Sequence, residues 1–474
     1  MSETQAGDTV VYHARSGPLA LAEGEAGDRS SYGKLTTKLA FGSAAALVVY
    51  IAGAGLTYCA QLALTRTIGA NGYGVYAYVF AWVTALAYIS ALGFDVSLMR
   101  FVPAYLASRA FGLLRGVTRF ARQRVAGVGC SVAVLGVVAI LAQWGELSRD
   151  LGNTFVVGFA LVPIMALVWV GAAVVRGFGG VLSALAPDRT VRDGVLLGFV
   201  VLAWGCLGWR IDAAWAMAAT LLGAAAGLGL VSIATHRYRP SELNAVAPVY
   251  DVPTWRSTSL PLVVIGMAEA LMNRTGVMLL GWMVDTRDAG IYALTFNLAF
   301  AVVLPRTAVN TLLAPTISDL FVRNAAVALR AIVAKAAWWS LLGALGIALP
   351  LCLFAEPFLK LFGPDFQTGA PALRILLLGQ VIAAAAGSQL HLMTMTGRER
   401  SAALQLVFSA VANAAAAAAL VTRLGPTGAA LAAAAALIGW NAAMCVSIRR
   451  HLSLWPGVFA ARGDRFSRGE DVAA

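Results

Sequence analysis

Glu269, Asn273 and Arg274 stand within about one and a half helical turns of one another, in a stretch (260–284) that is otherwise almost wholly apolar. Charged side chains are costly inside a bilayer, so an intramembrane Glu or Arg marks a binding or ion-coupling site by default. Glu269 lies nine residues into the stretch, about 14 Å at helical rise and so near a midplane. Arg274 comes five residues later, about 140° further round, which keeps the two off one helix face. Asn273 shares the face of Glu269. Arg274 reads as an anion-binding group lining a cavity, or as half of a pair that locks helix packing. Glu269 reads as a proton- or cation-coupling site, or as a structural partner. Arg306, near the end of the stretch 289–309, and Arg66, just past 41–65, are cations at span edges. Each could stand at a cavity lip or snorkel to lipid phosphate. His391 is a further candidate for carrying a proton. Asn297, Asn310, Gln380, Gln389, Asn413 and Asn441 read individually as interhelical hydrogen-bonding groups.

These residues need elements to hold them, and the composition says which. The chain has 474 residues, 59% hydrophobic and only 12% charged, with mean hydropathy +0.77. A soluble domain is about half apolar and about a quarter charged. The chain therefore has too little polar surface to coat a soluble particle, and it is expected to cross a membrane repeatedly. About 20 apolar residues make one crossing. Twelve stretches qualify: 41–65, 75–97, 125–144, 154–175, 191–208, 213–233, 260–284, 289–309, 332–354, 371–394, 401–421 and 425–448. The expected fold class is an all-α polytopic membrane protein.

The net charge of +12 would suggest nucleic acid in a soluble protein. Here it follows the positive-inside pattern, and no nucleic-acid partner is expected. Of the 35 Lys and Arg, 26 fall in alternate loops and both tails. Seven fall in the intervening loops, one or two per loop, and Arg274 and Arg306 lie inside spans. This places both termini in the cytoplasm. The Arg-rich 2–3 loop (Arg100, Arg109, Arg115, Arg119, Arg122, Arg124) carries Phe101, Tyr105, Phe111 and Leu113 as well. It reads as a basic amphipathic segment on an anionic leaflet, or as a plain topology anchor.

A repeat is visible. Gly74-Val75-Tyr76-Ala77 and Gly290-Ile291-Tyr292-Ala293 lie 216 residues apart, as do Ala213-Ala214 and Ala429-Ala430. Arg176-Gly177 and Gly397-Arg398 lie about 220 apart. The expected organisation is a polar cytoplasmic N-terminal tail (1–40) without a cleavable signal peptide, an N-lobe (41–233), a cytoplasmic linker (234–259), a C-lobe (260–448) and a basic cytoplasmic C-terminal tail (449–474). Six crossings per lobe give both lobes one orientation, a two-lobe transporter plan around a central cavity.

Catalytic signatures do not occur. There is no GxxxxGK[ST] loop, no HExxH and no Ser/His/acid set outside the spans. Asp95, near the end of the second span, is an isolated acid. The five cysteines are scattered through apolar stretches with no CxxC or Cys/His spacing, so neither a metal site nor a cofactor is expected. The protein is not expected to be an enzyme.

Several short motifs occur in a telling order. They are Thr65-Arg66-Thr67-Ile68-Gly69-Ala70-Asn71-Gly72-Tyr73-Gly74, Gly93-Phe94-Asp95, Arg100-Phe101-Val102, Ala289-Gly290-Ile291-Tyr292-Ala293, Ala314-Pro315-Thr316-Ile317-Ser318, Leu361-Phe362-Gly363-Pro364-Asp365-Phe366, Thr396-Gly397-Arg398 and Gly425-Pro426-Thr427-Gly428-Ala429-Ala430. Together, over about 41–450, the chain resembles the Wzx-type polysaccharide flippases of the MOP (multidrug/oligosaccharidyl-lipid/polysaccharide) exporter superfamily. The resemblance implies a MATE/MOP-like pair of six-helix lobes, alternating access and a place in the bacterial cytoplasmic membrane. The cargo it implies is a polyprenyl-diphosphate-linked oligosaccharide, for exopolysaccharide, O-antigen or capsule. Membrane lipids, a polysaccharide polymerase and chain-length or export proteins are the partners to expect. The family often has an acid in mid-span seven; here Asn273-Arg274 occupies that place and Glu269 lies about one turn earlier. On this reading Arg274, Arg66, Arg306 and Asn273 bind the diphosphate in the cavity, and Glu269 and His391 are the coupling-ion candidates. The alternatives are a MATE-like cation or drug antiporter, for which one deep carboxylate against two arginines is a poor lining, and a membrane polysaccharide polymerase or ligase, which would need a large outer loop.

Overall fold

A computed structural model describes residues 28–307, 309, 326–395, 398–452 and 456–458. Residues 28–42 are helical and belong to a unit of their own; residue 43 onward forms a second compact unit. The tails 1–27 and 459–474, Asn310 and the Ala314–Ser318 motif lie outside the described residues.

No strand occurs among the described residues. In hydrocarbon every backbone N–H and C=O must be satisfied internally, and apolar runs of this length do so by coiling into helices. In chain order these are α1 (Asp28–Ser90), α2 (Phe94–Ala107), α3 (Phe111–Ala142), α4 (Arg149–Gly177), α5 (Val181–Ala186), α6 (Arg192–Val200), α7 (Ala213–Tyr238), α8 (Val252–Met283), α9 (Thr286–Phe300), α10 (Ala326–Leu353), α11 (Ala370–Ala386) and α12 (Glu399–Leu452). Nine runs among the described residues are long and apolar enough to cross a membrane. Two of them, Ile51–Ala107 and Arg400–His451, bend at Gly69 (φ 68°) and Gly425 (φ 53°) and hold two crossings each. The twelfth crossing is α5 and α6, joined by a π turn over Pro187–Val191 and continued by a second over Val201–Cys206. Side-chain caps start several helices cleanly. Asp212 accepts from the Trp215 N–H at 2.9 Å, Ser148 from Leu151 at 3.3 Å, and Asp285 from Asp288 at 3.2 Å.

The crossings pack as two sets of six. In the first, α4 lies against α2, α3 and α7, and α6 lies against α7. In the second, α8 packs on α9 and α12, and α11 packs on α9, α10 and α12. The repeat has a structural meaning: Gly74 and Gly290, equivalent positions of the two halves, meet each other. A Cβ on Gly290 would lie 2.6 Å from the Gly74 Cα, and one on Gly74 would lie 1.9 Å from the Thr286 carbonyl oxygen. Only a residue without a side chain permits that approach. Around this point Tyr73 meets Phe366 edge-on at 5.9 Å, and the Arg66 Nε donates to the Leu361 carbonyl at 2.6 Å. We call this the closed end.

Two expectations change. The basic stretch 100–124 is not a segment lying free on a leaflet. Phe101, Leu114 and Phe120 are buried in one cluster with Trp255 of α8, and Arg115 donates to the carbonyls of Asn244 and Val246 at 3.2 and 2.6 Å. Its apolar face is covered by protein, while Arg100, Arg109, Arg119, Arg122 and Arg124 point outward. The central polar stretch also shortens, because α7 runs on to Tyr238 and α8 begins at Val252. Hydropathy ends a helix where polarity begins, whereas caps such as Asp251 set where it begins in space.

Candidate functional site

Glu269, Asn273 and Arg306 line one cavity of about 260 Å³ within the second half, between α8, α9, α11 and α12. Phe296 and Phe300 of α9, Gln380 of α11 and Trp440 of α12 share that lining. The Asn273 amide donates to the Glu269 backbone carbonyl of its own helix at 2.9 Å, which fixes its direction. Arg306 makes one long contact, 3.5 Å to the Ala383 carbonyl. The Trp440 indole Nε1 is buried and has no acceptor among the described residues.

Arg274 faces elsewhere. It leaves the cavity and points across the junction of the halves, its guanidinium carbon 5.7 Å from the centre of the Phe80 ring. Phe80 belongs to the first half and stacks nearly parallel on Tyr76 at 5.9 Å. A second arginine, Arg192 of α6, sits 5.4 Å from the same ring. The two guanidiniums are thus no further apart than the sum of those distances. Their surroundings differ. Arg192 bonds Asp188 at 3.0 Å and Asp193 at 2.9 Å, and Asp193 also accepts from the Thr57 hydroxyl. Arg274 has no carboxylate within 4 Å among the described residues. Arg192 thus has two carboxylates beside it, and Arg274 has no direct carboxylate partner among the described residues. An unpaired guanidinium in a low-dielectric setting is a receptor for a planar or tetrahedral oxyanion.

Arg66 lies at neither place. It is part of the closed end, near the exposed pair Arg287–Asp365 (2.9 Å). His391 is in the short helix Gln389–Met395, and its side chain lies outside the described residues.

Sequence reasoning missed Arg192, Asp188 and Asp193 as a set; Arg192, at the edge of the stretch 191–208, counts there with the preceding loop. A signal existed, since Asp188 and Arg192 are spaced i,i+4 and can pair only if 188–192 is helical. Pro187 and the glycines 194, 198 and 205 masked it by lowering apparent helicity. Nothing in the sequence distinguishes Trp440 or Phe80 from other core aromatics.

The profile of the polysaccharide biosynthesis protein family matches residues 39–321, more than half of the chain. The chain belongs to this family. No curated protein matches it significantly. Solved structures share the fold of this polysaccharide biosynthesis protein. An inward-facing multidrug resistance MATE family transporter of the MOP superfamily aligns at a TM-score of 0.70 and 14% identity, over 84% of this chain and 94% of that one. The lipid II flippase MurJ, in an inward closed conformation, aligns at 0.67 and 12% identity, over 85% and 87%. A MOP superfamily transporter from Pyrococcus furiosus aligns at 0.60 and 14% identity, over 87% and 94%. At such identities the likeness shows the fold alone, a two-lobe helical bundle. Family and long apolar helices make the protein a multi-pass membrane protein of the polysaccharide biosynthesis family.

Proposed function

We propose that the protein flips polyprenyl-diphosphate-linked oligosaccharide repeat units across the bacterial cytoplasmic membrane for surface polysaccharide synthesis. The observation that carries this reading is Arg274, a guanidinium in mid-span at the junction of the halves, without a carboxylate partner among the described residues. A diphosphate offers the matching oxyanions, and charge-assisted bonds to them gain strength away from water. The prenyl tail can stay in lipid while the head passes between the lobes. With both termini cytoplasmic, as the charge distribution supports, the closed end faces outward and the cavity is loaded from inside. Opening the Gly74–Gly290 contact and closing the other end then delivers the cargo to the outer leaflet. No bond of the cargo is made or broken. Glu269, in the cavity, is the proposed coupling-ion residue, with His391 as the second candidate.

The test is leaflet-resolved labelling of lipid-linked glycans in a deletion strain, with a membrane-impermeant sugar-modifying reagent. Accumulated repeat units protected from the reagent support the flippase. Accumulated but accessible units transfer the block to a polymerase or ligase. A second reading, a cation antiporter, rests on Glu269 in the same cavity; it requires no glycan accumulation and a loss of drug efflux. In the complemented strain Arg274→Ala should abolish flipping with expression unchanged, and Arg274→Lys should retain part of it.

A further inference from the structure

The halves also touch opposite the closed end, where α2 meets the start of α8, and this contact is built differently. The stretch 240–251, which runs from one half to the other, forms a strap bound to α3 of the first half. Val249 donates its backbone N–H to the Gly112 carbonyl at 2.9 Å, and a Cβ on Gly116 would lie 1.8 Å from the Val249 carbonyl oxygen. Asp251 then caps α8, accepting from the Thr254 N–H at 3.4 Å. The first two turns of α8 stay with the first half. Trp255 is fully buried among Phe101, Leu114 and Phe120, and its Nε1 donates to the Tyr105 hydroxyl at 3.0 Å. One turn on, the hydroxyls of Ser259 and Ser97 bond at 2.8 Å, and a Cβ on Gly93 would lie 2.3 Å from the Ser259 carbonyl oxygen. From Ala268 the helix belongs to the second half, where Ala268 is buried with Leu406 and Ala410 of α12. Each of the residues 260–267 in between is at least partly exposed.

The sequence of that thinly packed stretch suits bending. Pro261 has no N–H, so the Ser257 carbonyl loses its helical partner, and prolines inside helices are where helices kink. The hydroxyls of Ser257 and Thr258 both donate to the Thr254 carbonyl, at 3.1 and 2.9 Å, a local bonding that competes with the helical ladder just before it. Gly266 adds a residue of low helix propensity, and a Cβ there would meet only the Tyr88 ring, at 3.5 Å. We propose that the strap 240–251 and residues 252–259 move as part of the first half, and that the halves turn about a joint inside α8, over 260–267. The boundary between the lobes then lies within a membrane helix and not in the polar stretch that precedes it. The Ser97–Ser259 contact is a fixed fastening and not a gate that opens. Glu269 and Arg274 stand just beyond the joint. Glu269 is roughly 12 Å of helix past Pro261, so a bend of about 20° carries it sideways by about 4 Å. Bending α8 re-aims the site residues while the fastening holds. The proposal rests on the flippase reading for the use of the motion, although the joint is testable without cargo.

The experiment uses the full chain in a background without the native cysteines. Ser97→Cys with Ser259→Cys puts two thiols where two hydroxyls already meet, close enough for a disulfide. In the complemented deletion strain, leaflet-resolved labelling should show the same flipping, within about twofold, before and after that pair is oxidised. A large loss that reductant reverses would make the contact a gate and overturn the joint. Spin labels give a reading without transport, on the purified chain in lipid nanodiscs. Labels on Arg119→Cys of α3 and Arg256→Cys of α8 span the fastening, and labels on Arg119→Cys and Phe408→Cys of α12 span the joint; all three side chains are exposed. Adding Gly74→Val, which forces the closed end apart, should change the second distance by several ångströms and leave the first alone. The proposal is overturned if both distances change or if neither does. Pro261→Ala with Gly266→Ala restores the missing N–H and stiffens the stretch, so flipping should slow about five- to tenfold at equal or higher unfolding temperature. Wild-type flux in that variant also overturns the joint. A deletion strain with unchanged leaflet labelling would sink the flippase reading, and the spin-label distances would then decide the joint by themselves.

Discussion

Arg192 and Arg274 lie against one phenyl ring from opposite halves of the bundle, and they do opposite things. Arg192 is enclosed by Asp188 and Asp193, with Thr57 holding the second carboxylate. Arg274 has the ring and no acid. Charge in a membrane protein is thus handled in two ways beside one ring. One arginine is satisfied by its own helix and becomes part of the scaffold. The other is supplied by a helix with no acid on that face, since Glu269 is turned about 140° away. The contrast teaches that burial and depth alone do not identify a binding arginine; the partner set does.

The comparison can be broken in several places. The largest effect is expected at Arg274: Arg274→Ala should remove flipping entirely while thermal unfolding of the purified protein stays within a degree or two of wild type. Arg192→Ala should behave the other way. Removing one member of a buried ionic set leaves the others uncompensated and costs about 3–5 kcal/mol, so a large fall in unfolding temperature and in yield is expected. Replacing Asp188 and Asp193 by Asn in the same variant should recover most of it. Flipping lost at normal stability in Arg192→Ala would put both arginines in the site and end the distinction.

Smaller effects sharpen it. Gly74→Val inserts a side chain where the Thr286 carbonyl stands, an overpacking of about 1–3 kcal/mol that falls on the closed end alone. The population should move ten- to a hundredfold away from the closed arrangement. Spin labels on Arg66→Cys and Leu361→Cys, in a background without the native cysteines, should report a longer distance. An unchanged distance would mean that this contact does not define the state. Phe80→Leu keeps bulk and removes the ring face, worth about 0.5–2 kcal/mol per cation. Carboxylates hold Arg192 regardless, so the loss should appear as a few-fold drop in transport, measured in proteoliposomes, with little change in stability.

The reading from residues succeeded where the physics is one-dimensional. Twelve crossings follow from apolar run length, and the run diluted by Gly194, Gly198 and Gly205 is the one the structure builds with π turns. The 216-residue repeat pointed to two like halves, and Gly74 meeting Gly290 gives that repeat a place in space. The basic stretch 100–124 misled because its alternation of Arg with Phe suits a lipid surface as well as a protein groove; Trp255, more than a hundred residues later, decides between them. Arg192 misled because a charge near Pro187 looks like a loop until the helix is seen to continue.

By itself the sequence determined that this chain lives in a bilayer, how many times it crosses, and that its deep charges are few enough to name. Those properties depend on how many apolar residues adjoin one another, and the backbone's need for internal hydrogen bonds does the rest. Only the tertiary structure decided that Glu269, Asn273 and Arg306 share a cavity, that Arg274 looks the other way toward Phe80, and that Arg66 belongs to the closed end. A side chain's partner depends on which helices become neighbours and on their rotation. In lipid, those are set by small-residue contacts such as Gly74 against Gly290, whose reach extends across hundreds of residues of chain.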